Sequence, residues 1–188
     1  MGDWSFMIDP AWRPANEGDE PPIEAVIGGW FLRDDGEISL FRPNPNYQPS
    51  KPGLPTDPVD AALQSLVAAD GDDGPTAGEE LLSALRDVLL GVAVDEQGIA
   101  LVAPAPDGVP SVLVATAPAH RTRVNTPGWR DVTVTELAAS LPPEGVDVLI
   151  NPGAPASTRL TADTVRLSVT DPAPGDGAGD AAPPAATS

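Results

Sequence analysis

The sequence predicts an α/β fold, with α+β as the alternative: a single domain in which helices flank a mixed sheet behind an N-terminal β-hairpin. Three observations support this prediction. Short runs of strand-forming residues alternate with segments of helical period between residues 25 and 169. Residues 146–150 are apolar except for Asp147, which is typical of a central strand. The 24 prolines and 18 glycines crowd the first third of the chain and its last eighteen residues, so about 110 to 130 residues remain for the core.

Both termini are predicted to lie outside the packed domain of residues 25–169. Residues 1–24 form an acidic arm with three aromatic side chains, Trp4, Phe6 and Trp12, and show no periodic element. We expect the arm to fold back on the domain, because exposed aromatic rings promote association; docking on a partner is the alternative. Residues 170–188, rich in Ala, Pro, Gly and Asp, are predicted to be a disordered tail.

The strands follow from runs of β-branched and aromatic residues between turn signals. Residues 25–32 and 38–41 predict the hairpin, because the turn sequence Asp34-Asp35-Gly36 lies between them. Prolines at 43 and 45 end its second strand. The further strands are predicted at residues 90–95, 100–103, 111–116, 130–134 and 146–150.

Two helices are predicted in the first half of the chain. Asp57 followed by Pro58 is a helix start, with the aspartate as N-cap, and helical spacing continues to about residue 69. Thr76 and Glu79 have the spacing of a capping box, which predicts a second helix to about residue 87.

Two more helices are predicted in the second half. Thr135 is the expected cap of a helix that ends at residue 141, before two prolines. Residues 160–169 are expected to form a last helix capped by Thr161, with a strand as the alternative.

The charge balance argues against nucleic acid and anionic lipid as partners. The chain has 28 acidic and 10 basic residues, a formal net charge of −18, and Lys51 is its only lysine. Phosphate backbones and anionic membranes require clustered basic side chains. A basic protein surface is the natural complement, although acidity also serves solubility alone.

There is no cysteine, which excludes disulfides and thiolate metal sites but does not by itself indicate a compartment. Two other sequence features favour a cytoplasmic protein. The N-terminus has neither the basic nor the apolar region of a secretory signal. The longest apolar run, residues 88–94, is far shorter than the roughly 20 residues that span a bilayer.

No motif predicts catalytic, cofactor-binding or metal-binding residues. His120 is the only histidine, and with no nucleophile-elbow motif we expect it to be a surface or interface residue. The acidic segment 70–74 lacks calcium-loop spacing, because Pro75 and Leu81 occupy its sixth and twelfth positions; we interpret it as a solvated turn between helices. Lys51 lacks the glycine of a phosphate loop. We therefore predict a protein that is not an enzyme; an unrecognised hydrolase that uses His120 or a carboxylate pair is the remaining alternative.

One basic and aromatic cluster is the best candidate for partner binding. It consists of His120, Arg121, Arg123, Trp129 and Arg130, which lie within eleven residues of an otherwise acidic chain. Arginines beside a tryptophan are typical contacts for an acidic peptide or another anion. The alternative is that these arginines pair with the protein's own carboxylates.

Several segments, considered together, resemble a known family. Residues 112–121 (VLVATAPAHR), 129–137 (WRDVTVTEL) and 145–153 (GVDVLINPG) resemble the SseB N-terminal domain. Upstream, residues 27–30 (IGGW), 41–47 (FRPNPNY) and 55–63 (PTDPVDAAL) are similar to actinobacterial proteins described as type VII secretion system-associated. The resemblance implies an α/β fold, no catalytic residues and an accessory role beside a secretion machine. It also places Asn151, Pro152 and Gly153 in a turn after a strand, which we add to the partner-binding candidates.

The sequence does not look like an exported substrate of such a system. Substrates carry a Trp-x-Gly turn and a Tyr-x-x-x-Asp/Glu signal, whereas Tyr47, the only tyrosine, has Lys51 four residues later. We therefore predict a cytosolic accessory or adaptor protein that binds a protein partner. An immunity-like or chaperone protein that covers a secreted toxin is the alternative.

Overall fold

A computed structural model describes residues 3–68 and 74–170, without the side chains of residues 74 and 75. It confirms the predicted α/β fold. The solvated turn predicted at residues 70–74 lies outside the described residues except for residue 74. The tail predicted at residues 170–188 lies outside them except for residue 170. The elements are β1 (Asp3–Ile8), β2 (Val26–Leu32), β3 (Arg42–Pro43), α1 (Pro58–Ala68), α2 (Gly74–Arg86), β4 (Leu90–Val94), β5 (Val102–Pro104), β6 (Pro110–Ala115), α3 (Pro118–Arg121), β7 (Gly128–Val132), α4 (Val134–Ser140), β8 (Asp147–Ile150), β9 (Thr158–Leu160) and α5 (Ala162–Thr170).

A three-stranded antiparallel sheet in the order β1-β2-β3 forms the N-terminal part of the domain. The predicted hairpin turn is present, since the Ser39 N–H donates to the Phe31 carbonyl oxygen at 2.9 Å. Its second strand is shorter than expected and shifted, because β3 is Arg42 and Pro43, opposite Gly29 and Gly28, and Ile38 forms an isolated bridge with Leu32. The hairpin is therefore held by single hydrogen bonds from residues 37–39 more than by a continuous ladder of paired strand residues.

The N-terminal arm begins as a strand, and our expectation of no regular element there was wrong. Residues 3–8 pair with β2 in an antiparallel ladder, with Trp4 opposite Phe31 and Phe6 opposite Gly29. The alternation of large rings with smaller side chains is a strand signal of period two that the acids and prolines after it obscured. Beyond β1, the buried Asp9 carboxylate accepts hydrogen bonds from the Tyr47 hydroxyl and the Ser50 N–H, both at 3.3 Å. The arm thus folds back on the domain as expected.

The larger sheet has the order β7-β4-β6-β8-β9, and β5 pairs with the first half of β6. β8 lies inside the sheet, as its apolar sequence predicted, between β6 and β9. It runs parallel to β6, whereas the other described pairs are antiparallel. The carboxyl ends of β6 and β8 therefore lie side by side, and the residues that follow them, Thr116 and Asn151, meet at one edge of the sheet.

The core lies between this sheet and the helices. α1 packs on α2, α2 on α5, and α5 on α4. The largest fully buried apolar side chains come from β2, both early helices, and the central strands: Ile27, Leu63, Leu85, Leu90 and Ile150. None of the helices in the described ranges is long and apolar enough to cross a membrane.

Two helix starts differ from the prediction. α2 begins at Gly74, so Thr76 lies inside the helix and does not cap it. The N-cap of α4 is Thr133, whose hydroxyl accepts from the Glu136 N–H while the Glu136 carboxylate accepts from the Thr133 N–H, a complete capping box. Thr135, the predicted cap, lies inside that helix. For α5 the prediction was right, since the Thr161 hydroxyl accepts from the Thr164 N–H at 3.1 Å.

Candidate functional site

A buried polar cluster lies at the carboxyl ends of β6 and β8. Its members are drawn from the start of α1, from the segment after β6 and from the turn after β8: Thr56, Asp57, Asp60, Thr116, His120 and Asn151. In open α/β sheets this is the edge where ligands bind, because the chain connections leave a crevice there. The cluster is therefore the candidate functional site of the sheet.

Asn151 and Thr116 join the two parallel strands at this edge. Asn151 is fully buried and has a left-handed backbone, with φ 49°. Its side chain accepts from the Thr116 N–H and donates to the Thr116 hydroxyl, both at 2.9 Å. Our prediction of Asn151 as a partner contact was wrong, because its side chain is used inside the fold.

Asp57 connects this pair to α1. Its carboxylate accepts from the N–H groups of Val59 and Asp60 at 2.9 and 3.0 Å, which is the predicted N-cap, and from the Thr116 hydroxyl at 2.7 Å. The side chain is completely buried. Burial raises the pKa of Asp57, against the opposing effect of the Asp60 N–H and the Thr116 hydroxyl. One carboxylate therefore holds the start of α1 against the end of β6.

His120 is only 3% exposed, so the prediction of a surface histidine was wrong. Its Nε2 lies 2.8 Å from the Thr56 hydroxyl, 3.7 Å from the nearer Asp60 oxygen and 3.9 Å from that of Asp57. α3, a single helical turn that begins at Pro118, carries the imidazole into this cluster. Its polar partners lie some sixty residues earlier in the chain, so no local sequence pattern predicted these contacts.

The contacts of His120 differ from those of a catalytic triad. A triad places the nucleophile at Nε2 and an orienting carboxylate at Nδ1. Here the hydroxyl and both carboxylates face Nε2, whereas Nδ1 is buried and has no hydrogen-bond partner among the described residues. Burial favours the neutral form of Asp60, but the contact with His120 and the Thr56 N–H bring the pKa of Asp60 below its usual value. The cluster is arranged to hold three segments together, with the hydroxyl of Thr56 already engaged.

A cavity of about 420 Å³ opens beside the cluster. Thr56, Asp60 and His120 contribute polar groups to its lining, and prolines and alanines form much of its wall. Lys51 and Arg123 also line it and are exposed. The cavity has room for a small polar group. In the described parts of the chain, no three acidic or histidine side chains are grouped as metal ligands.

The predicted basic and aromatic cluster does not form one patch. His120 and Arg123 line the cavity of 420 Å³, whereas Arg121 lines a separate cavity of about 250 Å³ with its ion-pair partner Asp131. The Arg121 guanidinium lies 5.5 Å from the centre of the half-buried Trp129 ring. The alternative of internal pairing is therefore right for Arg121.

The remaining candidates make backbone contacts. The Arg130 guanidinium donates to the Gly98 carbonyl oxygen, and that of Arg123 to the Gly153 carbonyl oxygen at 3.2 Å. Pro152 is half-buried and Gly153 exposed in the turn after β8. Arg123 thus remains accessible at the cavity, and Pro152 and Gly153 remain accessible in the turn, but the three do not form an aromatic and basic surface with Arg130.

An aromatic surface that the sequence analysis did not assign lies on the N-terminal sheet. We define it by Trp4, Phe6 and Phe31. The Trp4 and Phe6 rings are parallel, with centres 6.0 Å apart, and the Phe31 ring lies 5.5 Å from Trp4. Trp4 is 41% and Phe6 56% exposed, although the strand that carries them is paired. A β-carbon at Gly29 would lie 2.7 Å from the Ser5 carbonyl oxygen and 3.0 Å from the Phe6 ring, so glycine there leaves room for both the β1 backbone and the rings.

Comparisons of the chain with protein-family models, with curated proteins and with solved structures found no match.

Proposed function

We propose that the protein is a non-enzymatic, cytoplasmic accessory or adaptor that binds a protein partner, in association with a type VII-like secretion system. The observation that carries the binding proposal is the exposed aromatic surface. Monomeric soluble proteins seldom expose stacked aromatic rings, and tryptophan is among the residues that contribute most to protein interfaces. The secretion link rests on the resemblance of the segments between residues 27 and 153.

The polar cluster supports the non-enzymatic part of this proposal. Each side-chain oxygen that His120 faces also serves a structural bond: the nearer Asp57 oxygen accepts from the Thr116 hydroxyl at 2.7 Å, the nearer Asp60 oxygen accepts the Thr56 N–H at 3.1 Å, and Thr56 donates to Asp57 at 3.0 Å. Removing the Thr56 proton during catalysis would disturb the start of a helix. Side chains that already make these structural bonds are better suited to stabilising the fold than to catalytic turnover.

Replacing Trp4 and Phe6 together by alanine is expected to abolish partner capture. Tagged wild-type protein, expressed in its native cells, should retain a secretion component, such as the membrane ATPase or a small Trp-x-Gly protein, and W4A/F6A should lose it. L167A is the matched control, since Leu167 is a 60% exposed apolar residue on α5. If the wild-type protein recovers neither a secretion component nor a secreted protein, the proposal is wrong. Recovery of a secreted toxin alone would favour the immunity-like alternative.

The 2.8 Å contact between His120 Nε2 and the Thr56 hydroxyl also permits a second candidate function, that of a hydrolase with Thr56 as nucleophile. We expect a fluorophosphonate probe to label the protein no more than it labels T56V. The measurement is intact-protein mass spectrometry with the folded state checked by circular dichroism. Labelling at Thr56 that disappears in both T56V and H120Q would favour the hydrolase.

A further inference from the structure

β1 is an edge strand in the described structure, because the N-terminal sheet has the order β1-β2-β3 and no described strand lies beyond β1. An edge strand offers unpaired N–H and C=O groups to another chain. The orientation of these groups can be worked out from the neighbouring bonds. The Phe31 N–H donates to the Ser39 hydroxyl and its carbonyl oxygen accepts from the Ser39 N–H, both at 2.9 Å. The backbone of Phe31 therefore faces away from β1.

Trp4, opposite Phe31, consequently directs its own N–H and C=O toward the open edge. The Trp4 N–H indeed bonds to the Asp3 carboxylate at 2.9 Å instead of to β2. Backbone direction repeats every second residue in an antiparallel ladder, so the N–H and C=O of Phe6 also face outward. The two residues with outward backbone groups are the two that carry the exposed rings. Edge and aromatic surface form one continuous face.

The charges around this edge select the partner. Asp3 lies opposite Leu32, the last residue before the hairpin turn, and that turn contains three acidic residues, Asp34, Asp35 and Glu37, against one basic residue, Arg33. Glu37 and Arg33 form an ion pair at 2.8 Å. The end of the sheet near Trp4 thus has a net negative charge, on a chain of net charge −18. A second copy of this chain would be repelled, and a basic segment attracted.

We propose that an extended, basic segment of a partner protein adds to β1 as a further strand. Its backbone bonds to Trp4 and Phe6, its apolar side chains cover the aromatic surface, and its lysines or arginines face Asp3 and the acidic hairpin turn. Strand addition combines backbone bonds for affinity with side-chain contacts for specificity. This inference rests on the proposed protein-binding function and specifies its partner and mode.

The test uses the full chain and a synthetic peptide of alternating valine and lysine, about eight residues long. We expect the peptide to bind the wild type and L167A equally and W4A/F6A at least about tenfold more weakly. Because W4A/F6A keeps the net charge, equal binding to it would show charge attraction alone and overturn the inference. D3K is a second variant that keeps both rings. D3K should bind the lysine peptide more weakly than the wild type does, and should bind the same peptide with glutamate in place of lysine more strongly.

Amide hydrogen exchange by NMR separates strand addition from a purely apolar contact. On binding, exchange at the Phe6 N–H should slow by at least about tenfold, since that group acquires an acceptor. Unchanged exchange at Phe6 in the bound state would overturn the inference while leaving the proposed function intact. Failure of partner capture by the wild type, with the peptide still bound at β1, would instead contradict the proposed function and leave the edge site standing.

Discussion

Replacing Asp57 by alanine is expected to lower the free energy of unfolding by about 3 to 5 kcal/mol. The carboxylate satisfies two N–H groups at the start of α1 and the Thr116 hydroxyl, all in the interior. Alanine leaves the two N–H groups unpaired and leaves the Thr116 hydroxyl with the Asn151 side-chain oxygen, at 3.2 Å, as its acceptor; an unpaired buried donor costs about 1 to 3 kcal/mol. The measurement is urea unfolding monitored by circular dichroism. A loss below about 1 kcal/mol would contradict the view that this residue joins α1 to the sheet.

D57N is the matched control for this prediction. The amide oxygen of asparagine can still accept the N–H groups of Val59 and Asp60, so we expect D57N to lie between the wild type and D57A. Asparagine also removes a buried charge, and burial is the main reason why the pKa of Asp57 is raised. If D57N were as unstable as D57A, the charge itself, and not the cap, would be the main contribution.

The sequence predicted the elements whose signals are local. Asp57 before Pro58 marked the start of α1, and Thr161 marked the start of α5. Both signals are short because a cap involves residues within one helical turn. Thr133 and Thr135 both lie near the start of α4. Thr133 is the cap, because Glu136 lies three residues after it and completes the capping box. A search for the complete capping box would have found it.

The polar cluster was beyond sequence reasoning for the opposite reason. His120 and Thr56 are separated by 64 residues and Asn151 and Thr116 by 35. Their meeting depends on β6 and β8 being parallel neighbours, a property of topology that periodicity does not contain. Burial of the only histidine follows from the same arrangement. A surface or interface residue was predicted because no catalytic motif accompanies His120 in the sequence.

β1 was missed although its signal was present. Residues 3–8 alternate larger and smaller side chains, but acids and prolines after residue 8 suggested an irregular arm. Three exposed aromatics were expected to become buried by folding back. The arm folds back through its backbone and through Asp9, yet Trp4 and Phe6 remain exposed, because the core lies on the other side of β2. Trp30 packs there, with its ring 4.9 Å from Phe41.

Replacing Gly28 by alanine is expected to destabilise the N-terminal sheet by about 3 kcal/mol. A β-carbon there would lie 2.4 Å from the Arg42 carbonyl oxygen and 2.4 Å from a ring carbon of Phe41. The oxygen belongs to the backbone of β3 and the ring is 4% exposed, so neither can move without breaking a strand pair or opening the core. The readouts are urea unfolding and the tryptophan fluorescence of Trp30, which contacts Phe41.

G78A is the matched control, because Gly78 lies in α2 and a β-carbon there would meet no atom within 4 Å. We expect that variant to be more stable than the wild type by about 0.8 to 1 kcal/mol, the difference in helix propensity. The same substitution is thus expected to lower stability at Gly28 and to raise it at Gly78. This difference separates steric conflict from the general effect of removing a glycine. Since β2 lies between β1 and β3, displacement in G28A should also weaken peptide binding at β1. Full stability in G28A would mean that Phe41 and β3 are not packed against β2 as described.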